Sequence, residues 1–197
     1  MVEVQGFVQP GFESVRDAFA ANFATDFEVG ASVAVMHRGE MVVDIWGGHT
    51  DTERTSAWEE DTLINVWSTT KTQMFLCVLI LVDEGKLGLN DPVAKHWPEF
   101  AANGKEKVLI RHLMSHTSGL SGWEETVVKT DLYDHEKCSS LLAAQAPWWE
   151  PGTKSGYHAM TQGYLLGELV KRVSGISLGN FFRTRVAEPL GADFHIG

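Results

Sequence analysis

Apolar residues recur at two different spacings in the first quarter of the chain, and each spacing predicts a different element. Between residues 11 and 24, aromatic and aliphatic residues fall three to four positions apart, as in an amphipathic helix. Two runs rich in β-branched residues follow, 31–36 and 41–46, with a polar turn between them. Such runs predict a β-hairpin. The polar stretch 49–61 has no apolar period and predicts a loop.

The later apolar runs have the length and spacing of helices. The run 74–82 is apolar on every side, which predicts a helix buried in the core, and Gly85 is expected to end it in a left-handed conformation. Further helices are predicted over residues 108–114, 138–145, 161–174 and 180–186. One hairpin against five or six helices is too little sheet to cover a core with this much helix.

Composition indicates a globular chain with an acidic surface. The 197 residues are 44% hydrophobic and 21% charged, which is enough for one domain with a substantial core. The net charge of −10 argues against nucleic acid or an anionic membrane as partner, because both need clustered lysine and arginine. The first residues show no secretory signal pattern, and the run 74–82 is too short to span a bilayer, so we expect a cytoplasmic protein. The two cysteines, Cys77 and Cys138, indicate neither a disulfide framework nor a cysteine-based metal site.

The stretch Ser68-Thr69-Thr70-Lys71 places a hydroxyl and an amine at the start of the most apolar helix. If the helix begins at Ser68, the two side chains share one face, with Cβ atoms about 5–6 Å apart. S-x-x-K is a serine-acylation motif, and N–H groups of the first turn would face an oxyanion formed over Ser68. A chain of this length contains about one such spacing by chance. The position before the buried helix is therefore what favours a catalytic interpretation.

Two other patterns compete for a functional role. Ser177 lies in a G-x-S-x-G sequence, the nucleophile elbow of α/β-hydrolases, which requires a strand before the serine. A helix is predicted there instead, so Ser177 is interpreted as the N-cap of the next helix. His112 and His116 have the i, i+4 spacing of metal ligands but lack the accompanying glutamate of H-E-x-x-H. A structural role is favoured for both, and no metal or cofactor is predicted.

Several motifs follow one another in the order found in a known protein family. After the hairpin come Ser68-x-x-Lys71, the segments 85–92 and 110–120, Glu150-Pro151-Gly152 with Tyr157, the segment 163–168 and Pro189-Leu190-Gly191. This succession, over about residues 29–191, resembles the serine β-lactamase and penicillin-binding-protein superfamily, in particular the class C-like esterases called family VIII. The resemblance implies an α+β, β-lactamase-like fold, with a helical domain packed on an antiparallel sheet whose C-terminal strands are absent from this chain.

The resemblance also implies how the chain is organised. Residues 1–197 would be the N-terminal portion of one catalytic unit. Within it, 11–66 would hold the first helix and the hairpin, 67–160 a mostly helical part with the active-site helix, and 161–197 the return helices. In the family, the remaining strands and a third motif lie further along the protein, so we expect a second polypeptide or C-terminal fragment to complete the fold.

The catalytic set implied by the resemblance is Ser68, Lys71 and Tyr157. Ser68 would attack the substrate. Lys71 would keep the site poor in protons and hold its groups in position, and Tyr157 would exchange protons with the nucleophile and the leaving group. The phenol suits this role only if a neighbouring positive charge such as Lys71 lowers its pKa from about 10. Lactamases and peptidases of the family usually carry asparagine two residues after the tyrosine, where this chain has Ala159.

This departure weakens amide and lactam chemistry and favours esters. We therefore expect a serine carboxylesterase acting on small, short-acyl esters. The alternatives are a β-lactamase or a D-alanyl-D-alanine peptidase of the same fold, or a non-catalytic scaffold.

Four aromatic residues are predicted to bind substrate because they fall in loops near the proposed site segments. They are Trp67, Trp123, Trp149 and His158. For the tryptophans, the plainer alternative is that large aromatic side chains fill the seam between domains. For His158, the alternative is an ordinary histidine of a surface loop.

Overall fold

The computed structural model describes residues 2–25 and 27–197 of the chain. These residues form two compact units, Met1–Asn65 and Val66–Gly197. Each unit contains a hydrophobic core of its own. The first unit combines a small sheet with one α-helix, and the second is helical.

The sheet of the first unit has three antiparallel strands, β1 (Gln5–Val8), β2 (Gly30–His37) and β3 (Glu40–Gly48), in the order β1-β3-β2. The hairpin predicted from the two β-branched runs is confirmed as β2 and β3. Its register pairs Val35 with Val43, and a bulge follows directly after Val35. Strand β1 was not predicted, because four residues that include a glycine carry no alternation of apolar and polar positions.

The first helix, α1 (Glu13–Asn22), provides the other half of this unit's core. Its Phe19 is buried together with three residues of β3, Val42, Val43 and Ile45. Removing a phenylalanine side chain from water contributes about 1.5–3 kcal/mol, so this contact is a main reason why the helix stays on the sheet. The helix predicted over residues 11–24 is confirmed.

The second unit is built around one long helix, α5. Its helices are α2 (Thr70–Asp83), α3 (Ile110–Met114), α4 (His135–Ala144), α5 (Thr161–Ser174), α6 (Leu178–Phe182) and α7 (Glu188–Leu190). A single π-helical turn, Arg183–Ala187, joins α6 to α7. Helix α5 packs against α2, α3, α4 and α6, and most of its side chains are buried. The helix predicted over 161–174 therefore coincides with the centre of this core.

Helix α2 follows a single 3₁₀ turn, Trp67–Thr69, and ends before Gly85, whose φ of 69° is the predicted left-handed conformation. It contributes Met74, Cys77, Val78 and Leu81 to the core. On another face, Leu76 and Leu79 are 38% and 45% exposed. The prediction of a helix buried on every side is wrong for this face. An apolar composition indicates that a helix tends to be buried. It does not indicate whether a neighbouring element is present to cover each face.

Lys105 is a fully buried cation in this helical unit. Its ammonium donates hydrogen bonds to the carbonyl oxygens of Ala102, at 2.7 Å, and Gln145. The side chain therefore ties the 3₁₀ segment Pro98–Gly104 to the end of α4. Burial lowers the pKa of Lys105 to about 8, because a charged amine loses hydration that two carbonyl groups only partly replace.

Ser177 begins helix α6. Its hydroxyl oxygen accepts a hydrogen bond from the backbone N–H of Asn180 at 3.3 Å, and helix α5 lies before it in the chain. The interpretation of Ser177 as an N-cap is confirmed, and the strand that a nucleophile elbow requires is replaced by a helix.

Candidate active site

Ser68 occupies the 3₁₀ turn that leads into α2, and its side chain is exposed. The residue before it, Trp67, has a φ of 48°, in the left-handed region that a bulky side chain rarely adopts. The N–H of Thr69 donates to the carbonyl of Val66 at 3.1 Å and closes the turn. The α-helix starts at Thr70, so Ser68 lies just outside it and not in its first turn.

Lys71 lies in the first turn of α2 and its amine is directed toward Ser68. Its Nζ is 3.2 Å from Ser68 Oγ and 2.8 Å from the carbonyl oxygen of Ala159. The Ala159 contact ties the amine to a residue 88 positions further along the chain. The S-x-x-K spacing therefore places a hydroxyl and an amine within hydrogen-bond distance although a 3₁₀ turn replaces the predicted helical turn.

Tyr157 brings a second titratable group to the same hydroxyl. Its phenol donates a hydrogen bond to Ser68 Oγ at 2.6 Å, and Lys71 Nζ lies 5.0 Å from the centroid of its ring. The hydrogen bond to Ser68, and after it the proximity of Lys71, lower the pKa of Tyr157 from its ordinary value. The direction agrees with the expectation from sequence, but the contact with Ser68 contributes more than the charge of Lys71.

The loop that carries Tyr157 is held along one side by residues 116–119. The N–H of Gly152 donates to the carbonyl of Thr117 at 2.9 Å, and the N–H of Trp148 donates to that of Gly119 at 2.8 Å. These bonds align residues 117–119 with residues 148–152. Helix α5 supports the same region, because Thr161 Oγ1 donates to the carbonyl of Leu120 at 2.6 Å.

His158 is fully buried beside Tyr157. Its Nδ1 lies 2.6 Å from the carbonyl oxygen of Gly156 and its Nε2 lies 2.7 Å from Ser118 Oγ. Because a carbonyl oxygen only accepts, Nδ1 carries the proton and Nε2 accepts from Ser118. Burial lowers the pKa of His158, which keeps the imidazole neutral. The side chain therefore supports the Tyr157 loop from within and is not a surface histidine.

The three tryptophans predicted to bind substrate lie in different surroundings. Trp67 is 79% exposed and directly precedes Ser68. The ring of Trp149 packs edge-on against His158, with centroids 6.4 Å apart, behind the Tyr157 loop. Trp123 donates its indole N–H to the carbonyl of Cys138 at 3.0 Å and packs edge-on against Tyr164, in the helical core. Only Trp67 is beside the nucleophile.

His116 also lies at this site, which the sequence did not predict. Its ring centroid lies 4.7 Å from that of Tyr157, and its Nδ1 accepts the backbone N–H of His158 at 3.0 Å. His112, at the i, i+4 position, instead accepts the N–H of Leu109 at 3.2 Å. The two histidines thus have separate structural contacts, and the i, i+4 spacing does not form a shared ligand site.

Within residues 2–25 and 27–197, no helix combines the length and the apolar character needed to cross a bilayer. The same residues contain no group of three or more histidine, cysteine, aspartate or glutamate side chains that could hold a metal ion.

Taken together, the side chains of the site form a compact proton-transfer set. A hydroxyl accepts a short hydrogen bond from a phenol whose pKa is lowered and lies within reach of a primary amine. Such a set can deprotonate the hydroxyl as it attacks an electrophilic carbon and can return the proton to a departing oxygen. This arrangement is suited to acyl transfer to a serine.

The chain is similar in sequence to proteins named as esterases. The chain is 38% identical to the esterase/beta-lactamase LipL of Mycobacterium tuberculosis, over 98% of this chain and 45% of that protein. It is 35% identical to the esterase EstB of Burkholderia gladioli, over 83% of this chain and 45% of EstB. The chain therefore spans about half the length of these relatives.

Solved structures give the same result for the fold. A family VIII carboxylesterase superposes with a TM-score of 0.94 at 50% identity, covering 99% of this chain and 54% of that one. A penicillin-binding protein homologue from Caulobacter crescentus superposes with a TM-score of 0.95 at 41% identity, over 99% and 53%. The beta-lactamase family model matches residues 17–197. Since that match covers most of its length, the chain belongs to the beta-lactamase family and has the β-lactamase-like fold.

Proposed function

We propose that this chain carries the nucleophile and proton-transfer groups of a serine carboxylesterase, which cleaves small short-acyl esters through an acyl-enzyme on Ser68. The observation that supports the proposal most directly is the convergence of Tyr157 OH, at 2.6 Å, and Lys71 Nζ, at 3.2 Å, on Ser68 Oγ. A nucleophile with its base in hydrogen-bond contact is the geometry that covalent catalysis needs.

In the acylation step, the phenolate of Tyr157 takes the proton of Ser68 as Oγ forms a bond to the ester carbonyl carbon. The carbonyl electrons move to oxygen to give a tetrahedral intermediate. When they return, the bond to the alcohol oxygen breaks, and the leaving alkoxide takes the proton from Tyr157. The ammonium of Lys71 stabilises the phenolate that exists before the first transfer and after the second, because a nearby opposite charge favours the ionised phenol.

In the deacylation step, water replaces the alcohol. Tyr157 takes a proton from the water as its oxygen attacks the acyl carbon, and Ser68 Oγ leaves with that proton. The carboxylic acid product is released and the starting state is restored. The same two groups therefore serve both halves of the reaction, as microscopic reversibility requires.

Esters are proposed as substrates for two reasons. Ala159 stands where lactam- and peptide-cleaving members of the family usually have asparagine, and it contacts the site through its backbone, whose carbonyl accepts from Lys71. Relatives at 35% and 38% identity are named esterase and esterase/beta-lactamase. An ester has a better leaving group than an amide and needs less help from the site.

Among the four residues predicted to bind substrate, we propose Trp67 as the one that contacts the acyl or alcohol group. It is the exposed aromatic side chain next to the nucleophile in sequence. His158 and Trp149 are proposed to act indirectly, by supporting the loop of Tyr157. The contacts of Trp123 with Cys138 and Tyr164 favour a packing role for it.

We also propose that further polypeptide, as a second chain or a C-terminal fragment, completes the catalytic unit. The support is that these two relatives are about twice as long as this chain. A cytoplasmic location stays a prediction, which fractionation of cells with an antibody against the protein would test.

The first test is covalent labelling. The purified protein is treated with an alkyl fluorophosphonate and its intact mass is measured under denaturing conditions. We expect one label, mapped to Ser68, and a second polypeptide beside the chain of 21.8 kDa. Ser68→Ala should abolish labelling, whereas Ser177→Ala, which changes an exposed serine with a capping role, should label as the wild type does.

The second test compares substrates and proton-transfer variants. Hydrolysis of p-nitrophenyl butyrate should exceed that of a chromogenic cephalosporin. The reverse order would favour a β-lactamase over an esterase.

Tyr157→Phe and Lys71→Ala should each slow acylation by about 10²–10⁴-fold, the usual contribution of a general base or acid. Labelling that persists in Ser68→Ala would refute the proposed function.

A further inference from the structure

His116 contacts the Tyr157 loop at three points. Its carbonyl oxygen accepts the N–H of Gly156 at 3.1 Å, and its Nδ1 accepts the N–H of His158 at 3.0 Å. Its ring lies against that of Tyr157, with centroids 4.7 Å apart and planes inclined by 49°. The backbone donors on both sides of Tyr157 therefore end on one residue, which restrains the direction of the phenol between them.

The backbone of His116 is held in an uncommon conformation. Its φ of 60° lies in the left-handed region, which is strained for a non-glycine residue. In this conformation the carbonyl group and the ring of the same residue both reach the Tyr157 loop. Such strain persists where surrounding contacts outweigh it, and here those contacts are the ones made with Gly156, Tyr157 and His158.

The contact with His158 requires a neutral imidazole. Nδ1 can accept a backbone N–H only when it carries no proton, so the proton of neutral His116 is on Nε2. The titratable groups around the ring are Lys71 of α2 and Tyr157 and His158 of the loop. Burial, and after it the positive charge of Lys71, lower the pKa of His116. Protonation would turn the acceptor into a donor facing another N–H.

We propose that neutral His116 is a positioning residue for Tyr157, which keeps the phenol directed at Ser68 Oγ, and that protonation of His116 withdraws this support at acid pH. The inference rests on the proposed function, because orienting Tyr157 matters for turnover only if Tyr157 exchanges protons with Ser68. His116 itself makes no contact with the reacting atoms in this scheme.

Two substitutions separate the two contacts of the side chain. In His116→Asn, the amide oxygen can still accept the N–H of His158, asparagine tolerates a positive φ, and the side chain does not titrate. In His116→Phe, the ring remains beside Tyr157 but the acceptor is lost. Thermal unfolding followed by circular dichroism shows that each variant is folded before its kinetics are compared.

The expected results concern pH profiles and not only rates. The wild type should lose kcat/KM for p-nitrophenyl butyrate at acid pH, and His116→Asn should lose less of it while keeping the neutral rate within about tenfold. His116→Phe should lower kcat by about tenfold or more at every pH with little change in KM, because Tyr157 is misdirected while the substrate site is unchanged.

A spectroscopic titration tests the inference without turnover. The ultraviolet absorbance of tyrosinate is followed against pH, and the difference from Tyr157→Phe isolates Tyr157 among the three tyrosines of the chain. In His116→Phe, the pKa of Tyr157 should lie closer to the ordinary value of a tyrosine, since its contact with Ser68 is weakened. The inference would be overturned if both His116 variants showed the same tyrosinate titration and the same pH profile of kcat/KM as the wild type.

Failure of the proposed function has a different signature. If Tyr157→Phe labels at Ser68 as fast as the wild type, Tyr157 has no part in acylation, and both the mechanism and the inference built on it are wrong. If Tyr157→Phe is slow but both His116 variants behave as the wild type, the mechanism stands and the inference alone is wrong.

Discussion

Replacing the buried Lys105 with methionine is expected to change how stability depends on pH. Burial lowers the pKa of Lys105 from 10.5 to about 8. Below pH 8 the folded and unfolded chains both carry this charge, and above pH 10.5 neither does. Between these values the unfolded chain holds one more proton, so the free energy of unfolding rises with pH. The two pKa values differ by about 2.5, which at about 1.4 kcal/mol for each pH unit amounts to about 3 kcal/mol.

Other buried or half-buried groups, among them Cys77 and Tyr164, act in the opposite direction over part of the same range. Burial raises the pKa of the Cys77 thiol from 9.0 to about 11 and that of Tyr164 from 10.0 to about 12. In both cases the folded chain keeps a proton that the unfolded chain releases, so stability falls as pH rises. The contribution of Lys105 is therefore seen only as a difference between the wild type and Lys105→Met.

The assay is urea unfolding followed by tryptophan fluorescence, with a reductant present, at intervals from about pH 7 to pH 10.5. The wild type should gain about 3 kcal/mol relative to Lys105→Met between pH 8 and pH 10.5. The matched control is Lys107→Met, which replaces an exposed lysine two residues away. Its free energy of unfolding should differ from that of the wild type by the same amount at every pH. The reasoning would be refuted if the free energy of unfolding of Lys105→Met also differed from that of the wild type by the same amount at every pH. That result would mean that burial does not destabilise the charged amine.

Two further substitutions test the packing of the site and the alternative serine. Gly119→Ala should destabilise the protein by about 2 kcal/mol and slow fluorophosphonate labelling, because Gly119 has a φ of 83° and an added Cβ would lie 2.8 Å from the carbonyl oxygen of Trp149; equal stability in urea unfolding would contradict this. Ser177→Ala should cost about 1 kcal/mol through loss of the N-cap to Asn180. It should leave the labelling rate unchanged, and a loss of labelling would return Ser177 to consideration as a nucleophile.

Elements whose signal is local were predicted well from the sequence. Helix α5 (Thr161–Ser174) has its apolar residues at helical spacing and ends at Gly175, which has a φ of 82°. The hairpin of β2 and β3 has two β-branched runs around a tight turn. In both cases neighbouring residues determine the backbone, so the pattern can be read without knowing what packs against it.

Elements that depend on a partner were missed or predicted incompletely. Strand β1 (Gln5–Val8) exists because β3 offers hydrogen-bonding groups along its free edge, and nothing within four residues signals this. The exposure of Leu76 and Leu79 on α2 likewise depends on which neighbours are present. Side-chain polarity describes a preference for burial, and the tertiary structure decides whether that preference is met.

The candidate site divides in the same way. The pair Ser68 and Lys71 follows from spacing along the chain, since residues three apart in a helical turn face each other. Tyr157 lies 89 positions from Ser68, and only the resemblance to a family predicted that the two belong together. His116 was predicted to be structural, but its contact with Tyr157 depends on a left-handed backbone and on the path of a distant loop.

By itself, the sequence determined the main helices, the hairpin, the acidic surface and the chemical groups of the nucleophile and its amine, because these depend on residue type and on short spacings. The tertiary structure decided which groups meet: the phenol and the hydroxyl at 2.6 Å, the amine on the carbonyl of Ala159, and the imidazole of His116 beneath Tyr157. Contacts between residues far apart in sequence form only when the core around α5 brings the loops together. No local pattern encodes the distances between them.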